Sequence, residues 1–177
     1  MRKLSSEELN RANLSDLGKQ ERLPVVILLD NVRSGLNVGS VFRTADAFTI
    51  EKIILTGITV QPPHREILKT ALGSTESVPW EYTESIVQSI ESLKQDHYTI
   101  IAIEQTTQSI LLSDFQFDKG YKYVLILGNE VDGLSEEALP LIDKAIEIPQ
   151  AGIKHSLNVS ICGGIIMWEA FRQMGEE

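Results

Sequence analysis

Residues 24–30 (PVVILLD) and 121–128 (YKYVLILG) are short apolar runs, each followed by a polar loop. Runs of this kind make strands buried on both faces, and such strands need helices above and below them. The remaining sequence supplies those helices. Further strand-like segments lie at 52–56 (KIILT), 78–82, 98–104 (YTIIAIE) and 145–149 (AIEIP). Helical spacing occupies 38–48, where Val38, Val41, Phe42 and Ala45 share a side, and continues at 64–72, 85–95 and 156–174. The segment 135–143 (SEEALPLID) reads as a short helix interrupted by Pro140, and SSEELNRANL, from Ser5, as another with Ser5 or Ser6 as its cap. Strand and helix alternate six times. This predicts an α/β fold with a mostly parallel sheet and helices on both faces. Leu157, Ile161, Ile165 and Trp168 are the expected buried stripe of the last helix.

At 177 residues the chain is long enough for one domain, expected over 23–177 after a short extension of residues 1–22. A single cysteine rules out an internal disulfide framework and a zinc site built on several thiolates, and no metal is expected. No apolar run reaches membrane-spanning length and the first residues lack the pattern of a signal peptide, so the expected location is cytoplasmic, away from membranes. The net charge of −9 argues against indiscriminate nucleic-acid binding. The charge is uneven, however: residues 1–70 sum to +2 and residues 71–177 to −11. A polyanion should therefore meet the N-terminal part of the chain.

Parallel sheets place ligands at the carboxyl ends of their strands. Three segments after strands carry unusual residues. In 30–48, Asn37 is placed to cap a helix, and Gly39 leaves space beside Arg43 four residues on, a guanidinium suited to a phosphate or a forming oxyanion. An ion pair from Arg43 to Asp46 is the structural alternative. In 127–134 (LGNEVDGL), Gly128 and Gly133 bracket a polar turn whose Glu130 could orient Arg43. In 148–170, Ser156, Asn158 and Ser160 crowd a helix start, preceded by Lys154 and His155, and Gly163–Gly164 interrupts an apolar helix. No G-x-G-x-x-G, P-loop or histidine cluster is present.

Together the three segments resemble the motifs of the SpoU/TrmH family of RNA ribose 2′-O-methyltransferases, in the SPOUT superfamily. The resemblance covers about residues 24–173. It rests on Asn37-x-Gly39-x-x-x-Arg43-Thr44-Ala45, on 125–135 (LILGNEVDGLS) and on 148–160 (IPQAGIKHSLNVS). It implies a parallel sheet with a C-terminal deep trefoil knot, and S-adenosylmethionine held near Ile103, Glu104, Gly128, Asn129, Ile148 and Leu157, largely through the backbone. It implies catalytic roles for Arg43, Asn37, Glu130, Ser156 and Asn158. It also implies a homodimer with the final helix in the interface, and transfer or ribosomal RNA, not DNA, as partner. The short ends favour transfer RNA. Two departures stand out: Thr49 occupies the place of a common glycine, and Lys154–His155 replace acidic or small residues. Two other readings of the residues stay open, a catalytically idle RNA-binding relative and a nucleotide-binding α/β enzyme of another class.

Overall fold

The computed structural model describes residues 1–5, 8, 21–153 and 156–175. Apart from Ser5 and Glu8, the expected N-terminal helix lies outside the described residues, as do Lys154 and His155. The elements are β1 (Leu23–Asp30), α1 (Gly35–Ala47), β2 (Ile50–Thr56), α2 (Arg65–Ala71), α3 (Ser74–Ser77), β3 (Trp80–Thr83), α4 (Ile86–Gln95), β4 (Tyr98–Ile103), β5 (Ile110–Leu111), β6 (Lys122–Leu127), β7 (Lys144–Glu147) and α5 (Val159–Met174). The sheet has seven strands in the order β3-β2-β1-β6-β4-β7-β5, and every pairing is parallel.

Alternation along the strands builds two cores. Val25, Ile27 and Leu29 of β1 face the side covered by α1 and α5, with Val41, Phe42, Ile166 and Met167. Val26 and Leu28 face the opposite side, against Ile90 and Leu93 of α4 and Val124 and Ile126 of β6. Both faces of the central strands are buried, which explains why those strands read as continuous apolar runs.

Three expectations need correction, and one strand was not anticipated. The segment 135–143 forms turns and a 3-10 turn at Leu139–Leu141 rather than an α-helix, because Pro140 cannot donate to a helical ladder. The two-residue β5 went unread, since its exposed Ile110 and Leu111 show no burial pattern. The buried stripe of α5 is Val159, Gly163, Ile166, Met167, Ala170 and Met174. Ile161 and Trp168 are 55% and 51% exposed instead. The helix is apolar on two sides, and spacing alone does not say which side meets the sheet. Finally, Gly39 opens no groove beside Arg43. A Cβ there would sit 2.3 Å from the Ile67 carbonyl oxygen, so Gly39 is where α1 and α2 press together.

Candidate active site

β1, β6, β4 and β7 are neighbours in the sheet, and the loops at their carboxyl ends converge. A network of buried polar groups joins the first two. Asp30, fully buried, accepts from the Ser135 backbone N–H at 2.7 Å, the Ser135 hydroxyl at 2.9 Å and the Asn31 side-chain amide at 2.7 Å. Asn129 donates from its side chain to the Asn31 carbonyl at 2.6 Å and accepts from the N–H groups of Val131 and Asp132. Its own backbone exchanges two hydrogen bonds with Gly133. Buried polar groups are expensive unless paired, and here all of them are paired, so the loop after β6 is rigid.

Glycine is required at the root of that loop. A Cβ on Gly128 would lie 2.4 Å from the Gly133 carbonyl carbon and 2.6 Å from the Leu134 nitrogen. Gly133 has φ +71°, and a Cβ there would meet Glu104.

The loops after β4, β6 and β7 and the start of α5 enclose a cavity of about 530 Å³. Its wall includes Ile103, Glu104, Gly128, Asn129, Ile148 and Leu157, the six residues for which the resemblance implies cofactor contact, and also Glu130, Ser156 and Asn158. Cys162 contributes to the wall as well; burial first, and the Glu104 carboxylate second, push its thiol pKa up. This size and mixed lining suit a nucleoside-sized ligand. The apolar Ile103, Ile148 and Leu157 can cover a flat ring, and the carboxylates of Glu104, Glu130, Asp132 and Glu147 favour a cation.

Asn37 and Glu130 are brought together, but not as expected. Ser34, not Asn37, caps α1, its hydroxyl accepting from the Asn37 N–H. Both residue types suit a cap, so composition could not separate them. The Asn37 side chain is thereby freed. It donates to Glu130 Oε1 at 2.9 Å, and its carbonyl accepts from the Asn158 side chain at 3.1 Å. Glu130 also accepts from the backbone N–H groups of Arg33 and Ser34, at 3.2 Å each. Burial pushes the Glu130 carboxyl up, yet the bonds from Asn37 and these N–H groups outweigh it and hold the pKa below its ordinary value. Asn158 caps α5, accepting from the Ser160 N–H and hydroxyl.

Arg43 stands apart. Glu130 does not touch it, and Asp46 accepts from Ser77 rather than pairing with it. The guanidinium is exposed, without a hydrogen bond or ion pair, and outside the cavity wall. The residues that sequence reasoning missed are Asp30, Asn31 and Ser135, whose partners lie about a hundred positions away in the chain or are simply adjacent.

The sequence model of the SpoU rRNA Methylase family matches residues 24–168. The chain is 30% identical, over 170 residues, to a tRNA (guanosine(18)-2′-O)-methyltransferase of Aquifex aeolicus, covering 93% of this chain and 76% of that protein. It is 33% identical, over 148 residues, to an uncharacterized tRNA/rRNA methyltransferase of Synechocystis, covering 83% of this chain and 53% of the relative. Among solved structures, an AdoMet-bound rRNA methyltransferase from Sinorhizobium meliloti superposes with a TM-score of 0.79 at 31% identity, covering 93% of this chain and 62% of that one. The chain thus spans only about half to two thirds of several longer relatives. With the matched model running from β1 into α5 and all three motifs at one end of the sheet, the chain belongs to the SpoU rRNA methylase family.

Proposed function

We propose that this chain transfers the methyl group of S-adenosylmethionine to a ribose 2′-hydroxyl of RNA, with transfer RNA ahead of ribosomal RNA. The observation that carries the reading is the cavity at the strand ends, lined by Ile103, Glu104, Gly128, Ile148 and Leu157 and bordered by the Glu130–Asn37–Asn158 chain of hydrogen bonds. Bound there, S-adenosylmethionine would supply an electrophilic methyl group activated by its sulfonium charge. The apolar wall suits an adenine, and the surrounding carboxylates suit the positive sulfur. Asn129 shapes the wall, since its backbone and side-chain polar groups are already engaged. The wound-in C-terminal segment expected of a trefoil knot fits a site whose walls are the loops after β6 and β7.

Much of the catalysis is placement of oxygen, methyl and sulfur in line. Ser156 and Asn158 border the reacting side, and Asn37 and Glu130 fix the start of α1, the helix that carries Arg43. Arg43 would hold the phosphate of the target nucleotide and stabilise the forming alkoxide, with the proton leaving through phosphate or water; a guanidinium is too weakly acidic to act as a free base. Arg43 is outside the wall of its own subunit, so the site is completed in a homodimer. The second apolar side of α5, with exposed Ile161 and Trp168, supports that assembly.

The test is methyl transfer from labelled S-adenosylmethionine to bulk transfer RNA and, separately, ribosomal RNA, followed by nuclease digestion to locate the label. Ribose label in the wild type, lost in Arg43→Ala and not restored in Arg43→Lys, is the expected result. Cofactor and RNA bound without transfer would identify an idle relative and overturn the assignment.

A further inference from the structure

Thirteen of the sixteen Lys and Arg residues lie among the described residues. Most are engaged within the fold. Arg33 approaches Asp132, Lys52 pairs with Glu81, Lys94 with Asp143 and Arg172 with Glu169. Arg22 and Lys119 donate to carbonyl oxygens, and Lys122 and Lys144 lie over aromatic rings. Arg2 pairs with Glu8 in the extension. The described cations left without any such partner are Lys3, in the extension, and Arg43, Arg65 and Lys69. The last three all belong to one structural unit, the pair α1–α2.

That unit is rigid. Gly39 admits Ile67 and Thr70 of α2 directly against α1, and the Thr70 hydroxyl donates to the Leu36 carbonyl at 2.9 Å. Arg65 and Lys69 are one helical turn apart and both exposed. Leu68 and Leu72, 46% and 66% exposed, stand beside them. The acids on and beside this unit do not pair with them: Asp46 accepts from Ser77, the Glu66 carboxylate lies over Gly35, and Glu76 of α3 makes no ion pair among the described residues. Arg65 and Lys69, like charges one helical turn apart on α2, repel each other, and Arg43 is carried on the helix packed against α2. An external polyanion relieves that repulsion. The rest of the chain is strongly acidic, so a polyanion is admitted only where the acidic field is broken.

We propose that the α1–α2 face is the surface on which RNA lies: Arg65 and Lys69 hold backbone phosphates flanking the nucleotide that Arg43 addresses, with Leu68 and Leu72 against ribose or an unstacked base. This rests on the RNA methyltransferase reading above. It makes Arg65 and Lys69 positioning residues for RNA, remote from the cofactor cavity.

The test measures binding of bulk bacterial transfer RNA, and separately ribosomal RNA, by fluorescence anisotropy from low to physiological salt. The wild type is compared with Arg65→Ala/Lys69→Ala and with the charge-matched control Lys52→Ala/Lys94→Ala. The first double variant is expected to bind at least tenfold more weakly than the control. Its log–log salt slope should be shallower by about 1.4–1.8, the loss of two phosphate contacts. Its melting temperature and its S-adenosylmethionine titration should match the wild type, and methyl transfer should show raised KM for RNA with kcat retained. Equal weakening in both double variants would mean a general charge effect and would overturn the surface. Unchanged RNA binding in Arg65→Ala/Lys69→Ala, with ribose methylation intact, would overturn the surface and leave the methyltransferase reading standing. Selective loss of binding in that variant, in a protein that transfers no methyl group, would support the surface and overturn the reading.

Discussion

Asn37 on α1 and Glu130 after β6 are 93 residues apart in the chain and joined by a 2.9 Å hydrogen bond from amide to carboxylate. The bond ties the start of α1 to the rim of the cavity. Asn158, at the start of α5, is tied to the same Asn37. Two helices and one loop are thus tied together by one side chain before any ligand arrives.

This bond has a pH signature. The Glu130 pKa is lowered in the fold by Asn37 and by the N–H groups of Arg33 and Ser34, which prevail over burial. A lowered folded-state pKa contributes stability that is present above the unfolded value, about 4.3, and is lost as pH falls through the folded value. Glu130→Gln should therefore melt below the wild type at pH 6–8. The gap should close as pH drops below about 4, where the wild-type carboxylate is itself being protonated. Thermal melts across that range check this, and a gap independent of pH would contradict it.

Gly128 tests the cavity wall. The Cβ of Gly128→Ala would meet the backbone of Gly133 and Leu134, which no rotamer change can move. The loop must shift, at a cost of about 1–3 kcal/mol. Cofactor titration should show S-adenosylmethionine affinity falling by more than the loss of stability explains, because the shifted segment is the wall itself. Unchanged affinity would mean that this loop does not form the cofactor site.

Much of the architecture was legible because burial on both faces leaves a mark on sequence: β1 and β6 are apolar without alternation, and their neighbours carry enough of the same mark. What escaped was decided by groups distant in the chain or by a choice between equals. Ser34 and Asn37 are both good caps, and which one serves depends on whether Glu130 stands ready to take the other. The two apolar sides of α5 have the same helical period, so only the sheet reveals that Ile166 and Met167 face inward. Asp30 looked like a strand end, yet it is fully buried because Ser135 arrives from 105 positions away. Most of the motif residues gather around the cavity at the strand ends, and these cross-chain bonds give that region its shape.

The outward apolar side of α5 leads to a prediction about assembly. Trp168 is half-exposed and rests against Phe48 and Phe171, and a Cβ at Gly164 on the same helix would meet nothing within 4 Å. The homodimer proposed above would cover this strip with a second copy of the chain. Light scattering should give twice the 19.7 kDa chain mass for the wild type. Ile161→Lys combined with Trp168→Lys should give the monomer mass with the fold retained by circular dichroism. A wild-type monomer at micromolar concentration would refute the dimer.

Thr49 is the one motif departure for which the backbone supplies a reason. Its φ is +49°, in the left-handed region, where a β-branched residue is disfavoured by about 1–2 kcal/mol. The position joins α1 to β2, and its carbonyl accepts from the Leu23 N–H at 2.8 Å, so the chain cannot relax there without losing a strand-edge bond. A glycine, which the family resemblance leads one to expect here, would adopt this turn without strain. Thr49→Gly relieves the strain but increases the freedom of the unfolded chain, which offsets about 0.5–1 kcal/mol. The net expectation is a gain of about 0.5–1 kcal/mol, read as a melting temperature higher by about 1–4 °C for a chain of this length. Thr49→Ala retains the Cβ at positive φ and should recover little of that gain. If Thr49→Ala stabilises as much as Thr49→Gly, the threonine side chain rather than the backbone angle is the source of the strain.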